Sequence, residues 1–475
     1  MKYTILSQVG YICITINKSR QFVILILKPN ILVLIIDGFR GDKCFGENKT
    51  SHTPNLDSLL SVGVYFNHTI SSSDGTRTCI GSIFTGDYPF RTGLNTFYNH
   101  KKSTRYFDHL KKHGYSTFAT TPDVDLWQTL TKDFDGKDLF PKPYEYLFGG
   151  TGKKILKRLE HTSNFQPWIY YIHIMDLHRG VNFPLPENFK DEKFGTNDYE
   201  KMVSGIDYWI GKILEKIDLT KTLIVVTSDH GEFIPVSGID HEITYIPTLV
   251  KAGQKIKKFT PKYFQPLGES TFVKIRDAIV PIRKSILKTK LSEEELRTLN
   301  VRGTKTGWEL YDEVVITPLL FSGYGIKHHK LINQQVKQID IFPTMVSIIG
   351  LPGINESIEG KSLLPVINGE KMNEEPALIE NQILDPDDDD VVIGVRTPSY
   401  KYFRDRSDKK NKSCLFDLKN DPHEKNNIVT ERPDIVEQME DLLTKYRKNE
   451  YNFEGDSDDK EVQKIKEELK KMGYV

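Results

Sequence analysis

The stretch Ser71 to Gly86, SSSDGTRTCIGSIFTG, sets a threonine behind a glycine and ahead of a helix-like run. Asp74-Gly75 reads as a turn, and Thr76 stands at or just before the start of a helix through Ile83. Free backbone N–H groups at a helix start favour an anion, either an alkoxide or the oxygens of a phosphate or sulfate. A threonine hydroxyl is a poor nucleophile alone. A metal on its oxygen would lower its pKa and hold it in line. Arg77, next along, is suited to brace an oxyanion and is a substrate-binding candidate. Taken alone, Thr76 reads better as an ordinary N-cap threonine.

A candidate metal set changes that weighing. Asp37 ends one aliphatic run, and Asp229-His230 end another. With Thr76 they make a mixed oxygen and nitrogen set, suited to zinc or manganese and tolerable for calcium or magnesium. Adjacent Asp and His point to opposite sides of an extended chain, so both bind one ion only if a turn follows the strand. Gly231 allows such a turn. His178 and His241 are second-tier catalytic candidates, able to protonate a leaving group or hold substrate oxygens.

Strands that end in these residues must position them. Ile31–Ile36, Trp168–Ile174 and Thr222–Val226 are short apolar runs that suit strands buried on both faces. Val64–Phe66 and Tyr115–Thr120 read as further strands. Helical spacing falls at Thr53–Leu60, Phe107–His113, Tyr199–Ile217, Val336–Ile349 and Pro433–Arg447, and again at Lys460–Met472. Leu310–Phe321 is sheet-like. Val391–Phe403 and Ser413–Asp417 suggest a small C-terminal sheet. Alternating strands and helices imply a mostly parallel α/β sheet, in which ligands sit beyond the carboxyl ends of the strands. Asp37, His178, Asp229 and His230 all occupy that type of position.

The 475 residues allow one large domain with a smaller appendage. With 65 basic against 65 acidic residues, no global field points to nucleic acid or an anionic membrane. Four scattered cysteines give neither a disulfide framework nor a zinc ribbon, which fits a reducing compartment. Residues 1–28 lack a signal-peptide pattern and read as an extension or an extra strand. The resulting expectation is a cytoplasmic protein. Residues 251–305 form a basic insertion. Phe272, Ile275, Ile279, Ile282 and Ile286 fall on one helical face there, so peripheral membrane contact through 264–290 is weighed against packing on the body. Asp385–Asp390 reads as a solvated acidic turn rather than a calcium loop.

PNILVLIIDGFRGD, TPNLDSL, GTRTCIGSIFTGDYPFRTG, IHIMDLH and TSDHGE occur in order. They are followed by ELYDEVVITPLL, QIDIFPTMVSIIGLPG, EGKSLLPVING, YKYF and LFDLKNDPHEKNNI. This series resembles the sulfatase family of the alkaline phosphatase superfamily, from about Pro29 to beyond Asn427. The resemblance implies an alkaline-phosphatase-like α/β/α sandwich with a mostly parallel central sheet and a smaller C-terminal α+β subdomain. It also implies a divalent metal and cleavage or transfer of sulfate or phosphate esters. Asp37, Asp229 and His230 match the family's metal positions, and Thr76 its nucleophile position.

Three departures matter. The family modifies Cys or Ser in C/S-x-P-x-R to formylglycine, whereas this register reads Thr76-Arg77-Thr78-Cys79-Ile80. The resemblance implies unmodified threonine chemistry, as in related phosphodiesterases and phospho-head-group transferases. The family's paired Asp-Asp is Asp37-Gly38 here. The histidine after DHGE is matched by His241 only if the insertion follows it.

The expectation is therefore a metal-dependent hydrolase of sulfate or phosphate esters on small molecules, glycans or lipids, acting through a metal-bound Thr76. Phosphodiesterase or head-group transferase chemistry is the alternative, and a non-catalytic anion-binding member of the fold is a second. The domains expected are 1–28, 29–370 and 371–475. The oligomeric state is not legible.

Overall fold

The computed structural model describes residues 3–6, 11–16, 21–26, 28–46, 49–93, 105–140, 145–178, 183–234, 297–298, 310–354, 357–383, 391–409 and 413–448. His241, all of 251–305 except 297–298, the acidic run 385–390 and the helix expected at 460–472 lie outside the described residues.

The N-terminal stretch forms three strands, β1 (Tyr3–Leu6), β2 (Tyr11–Ile16) and β3 (Gln21–Ile26), rather than one. They pair antiparallel in the order β1-β2-β3.

The central sheet is built around β4 (Asn30–Ile36), whose seven residues are all buried. Alternation sends Ile31, Val33 and Ile35 to one face, where they meet Ile80, Ile83, Phe84 and Phe342. Leu32, Leu34 and Ile36 go to the other, against Leu56, Leu59, Ile155, Met202 and Ile206. Burying each such side chain is worth about 1.5–3 kcal/mol, and helices on both faces are what a doubly apolar strand requires.

The remaining strands are β5 (Val64–Ile70), β6 (Ser116–Pro122), β7 (Gly136–Phe140), β8 (Trp168–Ile174), β9 (Thr222–Thr227), β10 (Ile316–Gly323), β11 (Lys330–Ile332) and β12 (Val336–Lys337). Their order is β11-β5-β10-β9-β4-β8-β6-β7, with β12 beside β5. Among the described residues, only β10 runs against the rest of this sheet. The carboxyl ends of β4, β5, β8 and β9 therefore share one edge, and the candidate residues emerge from it.

Helix α1 (Pro54–Val62) opens with Pro54, which has no N–H to leave unpaired in the first turn. Its first free N–H groups are held by Asp207 of helix Asp198–Leu214: Asn55 donates to Oδ2 at 3.1 Å and Leu56 to Oδ1 at 2.8 Å. Helix α2 (Thr76–Thr85) follows β5 and ends at Gly86, in the left-handed conformation that suits glycine.

Two expectations need correction. Val336–Ile349 is not one helix: β12 and a 3-10 turn at Gln338–Asp340 precede a helix confined to Ile341–Ile348. Pro343 explains this, because proline fits the first turn of a helix but not its interior. The second concerns Leu310–Phe321, where a short helix, Asp312–Val315, leads into β10.

The C-terminal sheet comprises β13 (Ala377–Glu380), β14 (Val392–Arg396), β15 (Tyr400–Asp405) and β16 (Cys414–Asp417), all antiparallel. Strand β13 was missed in the sequence. One face carries Leu378, Val395, Tyr402 and Leu415 against Ile435, Met439 and Leu443 of helix Pro433–Arg447. The other packs Ile379, Phe403 and Phe416 on Ile70, Leu310 and Val315 of the body. Strand β13 also reaches the nucleophile segment directly: Glu380 N–H donates to Ser72 O at 3.0 Å.

Candidate active site

Thr76 is the first residue of α2, preceded by the extended Gly75. Its hydroxyl donates to Asp37 Oδ2 at 3.1 Å and lies 3.3 Å from His230 Nε2. Gly75 is needed for close approach rather than for a turn. A Cβ there would lie 1.4 Å from Gln382 Oε1, and the backbone φ is an ordinary −137°.

Asp37 follows β4, and the chain then turns through Gly38 at φ +62°, a left-handed conformation that glycine adopts without strain. Asp37 Oδ1 pairs with His178 Nδ1 at 3.0 Å. Its Oδ2 also faces His173 Nε2 at 3.7 Å. Burial pushes the Asp37 carboxyl up, but His178, His173 and His230 together outweigh that and hold it well below its ordinary value. For His178, burial opposes the charged ring and Asp37 prevails, raising its pKa.

Asp229 and His230 leave β9 in a tight turn. Asp229 Oδ1 accepts the N–H groups of Gly38, at 3.2 Å, and of His230, at 2.9 Å. Gln338 donates to the carbonyls of both Ser228, at 2.9 Å, and Asp229, at 2.6 Å. Gly231 contributes differently from the expectation: its φ is not positive, but a Cβ would lie 2.2 Å from Glu313 O. Burial opposes charge on His230 as well, yet Asp229, Asp37 and the Gly231 carbonyl bring its pKa up to about 9.

Asp37, Asp229 and His230 offer ligand atoms within 4.8 Å of one another. Asp229 Oδ2 is buried without a hydrogen-bond partner among the described residues. A buried carboxylate oxygen left unpaired beside a second carboxylate and an imidazole fits a divalent cation. The donors do not select among zinc, manganese, calcium and magnesium.

Arg77 lies on the same first turn and pairs with Asp125 at 3.5 Å. Cys79, one turn on, is fully buried with its thiol directed at Ser73 O, 3.1 Å away. The structure thus brings together Thr76, Asp37, His178, Asp229 and His230, with Arg77 next to Thr76 in the chain and paired with Asp125; His241 lies outside the described residues. Sequence reasoning missed Gln338, His173 and Gln382. His173 carried a readable signal, a histidine inside an otherwise apolar strand, but nothing in a sequence says what it faces.

Among the described residues no helix is long and apolar enough to cross a membrane. Residues 29–351 match the family model described as Sulfatase, and residues 307–449 match that described as N-sulphoglucosamine sulphohydrolase, C-terminal. Similar proteins include arylsulfatase K of Canis lupus familiaris, 22% identical, over 87% of this chain and 82% of that one. Arylsulfatase K of Homo sapiens is 23% identical over 87% and 81%. Among solved structures, a 2-O GAG sulfatase superposes with a TM-score of 0.60 at 18% identity, covering 92% of this chain and 96% of that one. The phosphonate monoester hydrolase of Agrobacterium radiobacter gives 0.60 at 14%, covering 88% and 95%.

Proposed function

The chain belongs to the sulfatase family, a family of sulfuric ester hydrolases, and on that premise we propose that Thr76 is the nucleophile of a metal-dependent ester hydrolase. One observation carries the reading: the Thr76 hydroxyl lies 3.1 Å from Asp37 and 3.3 Å from His230, at the head of α2.

Asp37, Asp229 and His230 would hold the cation. When bound, it would supply Lewis-acid polarisation and lower the pKa of the Thr76 hydroxyl. Thr76 Oγ1, its proton released to water, attacks the sulfur in line, and the bond from sulfur to the leaving oxygen breaks. Arg77 and the N–H groups of α2 bind the spread oxygens. His178, whose pKa Asp37 raises, gives its proton to the leaving oxygen. Water then attacks the sulfur of the Thr76 ester and gives a proton to His178, the S–Oγ1 bond breaks, sulfate leaves, and Thr76 Oγ1 takes up a proton from solvent. His241 is proposed as a second proton donor.

A second reading, phosphodiester cleavage, is favoured by Thr76 itself, since threonine cannot yield the formylglycine aldehyde. Residues 29–370 are proposed as the catalytic unit, 371–475 as a subdomain closing one side of it, and 1–28 as a separate element. The substrate class proposed is a small-molecule, glycan-linked or lipid-linked ester. A membrane surface enters only through 264–290. Liposome binding unchanged in an Ile275→Asp, Ile279→Asp variant would remove it.

The deciding experiment measures metal content and turnover in wild type and Thr76→Ala. The panel is sulfate monoesters, sulfated monosaccharides, phosphate monoesters and phosphodiesters. Loss of turnover on one class with metal retained is expected. Undiminished turnover in Thr76→Ala would sink the nucleophile assignment, and a metal-free, inactive wild type would favour a non-catalytic anion-binding protein.

A further inference from the structure

One polar line runs through an apolar layer of the core. Residues Tyr171 and His173 lie two apart on β8, so they share the sheet face otherwise lined by Ile31, Val33, Ile35 and Ile169. Trp127, from helix Asp125–Leu130, lies against them, its ring 4.6 Å from that of His173. Trp127 is 4% exposed, Tyr171 and His173 are 0%, and Asp37 is 1%. Polar groups at this depth are costly unless partnered.

The partners favour one arrangement of the protons. Trp127 Nε1 lies 3.0 Å from the Tyr171 hydroxyl, and an indole N–H only donates. The Tyr171 oxygen therefore accepts from Trp127 and keeps its own proton to give, and His173 Nδ1, at 2.8 Å, is placed to take it. With Nδ1 as acceptor, the ring proton of His173 is on Nε2. That N–H has no hydrogen-bond acceptor among the described residues. What it faces, at 3.7 Å, is Asp37 Oδ2, the oxygen that accepts from Thr76. The separation exceeds a hydrogen bond, so the interaction is a close electrostatic one between an N–H dipole and a carboxylate.

We infer that Trp127, Tyr171 and His173 form a buried relay whose terminal N–H orients the Asp37 carboxylate, making His173 a positioning residue for the metal site. The inference rests on Asp37 being a metal ligand, as proposed above. Such outer partners hold a ligating carboxylate in one rotamer, and their loss costs about tenfold to a hundredfold in metal affinity. His178 holds Oδ1, the other oxygen of the same carboxylate. Together the two histidines leave Asp37 one orientation, with Oδ2 toward Thr76.

The test uses the full chain and two readouts besides activity. Nitrogen-15 NMR of histidine-labelled protein reads the tautomer, with the His173 signal assigned by its absence in His173→Gln. Competition with a chromogenic chelator reads zinc and manganese affinity. Wild type should show His173 protonated at Nε2. His173→Phe should lose about tenfold to a hundredfold in metal affinity, and His173→Gln, whose amide N–H reaches a similar point, should recover most of that loss. A wild-type His173 protonated at Nδ1 would overturn the inference. So would a His173→Phe protein that melts as wild type does and binds metal equally well. If His173→Phe does not fold, Tyr171→Phe carries the measurement: a changed His173 tautomer supports the relay, an unchanged one overturns it. If wild type binds neither metal, the metal reading falls, and the tautomer still decides whether the relay exists.

Discussion

Gln382 packs onto Gly75 so closely that a Cβ on the glycine would lie 1.4 Å from its Oε1, 2.3 Å from its Cδ and 2.5 Å from its Cβ. The residue before the candidate nucleophile is thus fitted against the C-terminal sheet. Swinging the end of the Gln382 side chain would not relieve all three contacts, and the Gln382 backbone is held in place by its own N–H, which donates to Asp74 Oδ1 at 2.6 Å.

Gly75→Ala should therefore displace the start of α2. A shift near 1 Å at a reacting atom costs about a hundredfold in rate. We expect kcat to fall by about that much with little change in circular dichroism. Gly75→Ala, Gln382→Gly, which frees the space, should recover part of the activity. A Gly75→Ala enzyme of normal rate would show that this contact does not position Thr76.

Asp312 joins the C-terminal sheet to the body. Arg396 grips it with two bonds, at 2.9 and 2.7 Å, and Lys401 adds a third at 2.9 Å. Those two cations hold its carboxyl well below its ordinary value, against the upward push of burial. Asp312→Ala leaves Arg396 and Lys401 buried with their shared anion gone. Breaking such a cluster costs about 3–5 kcal/mol. Urea denaturation should show that loss, and a change below about 1 kcal/mol would mean that the cluster relaxes into water.

Asp176 gives a pH dependence of known sign. Burial raises its carboxyl from 3.8 to about 7, only partly offset by the Leu147 N–H it accepts at 3.1 Å. Below pH 4 both folded and unfolded states carry the proton. Between about 4 and 7 the unfolded chain releases it while the folded protein keeps it, so stability falls as pH rises through that window and levels off above. A shift of this size corresponds to roughly 4 kcal/mol at most. Asp176→Asn should raise the melting temperature at pH 7.5 and leave it unchanged at pH 4. An equal effect at both would detach the slope from Asp176.

Gln338 holds the two carbonyls that carry Ser228 and Asp229 into the site. Gln338→Leu leaves both buried acceptors without it, at about 1–3 kcal/mol. Metal affinity, read by chelator competition, should fall about tenfold or more. Stability lost without any change in affinity would make Gln338 a scaffold residue only.

The aliphatic runs at Ile31–Ile36, Trp168–Ile174 and Thr222–Val226 determined a great deal by themselves. Apolar strands of that length must be covered on both sides, so the doubly wound sheet was legible, and so was the edge where Asp37, His178, Asp229 and His230 emerge. Thr76 and Arg77 were legible because a helix start follows them at once. Local pattern determined less where tertiary partners override it. Gln338 lies in a run that reads as helix, yet Pro343 confines the helix to Ile341–Ile348 and frees the Gln338 side chain to bind strand ends. Only the folded chain decided that Gly75 and Gly231 are glycines for close approach, because the atoms they would strike belong to Gln382 and Glu313. Only it set His173 beside Asp37, 136 residues away by number (173 − 37). A sequence fixes which groups can donate and accept, but which pairs meet depends on how the strands are ordered in the sheet, and β8 lies next to β4 only after folding.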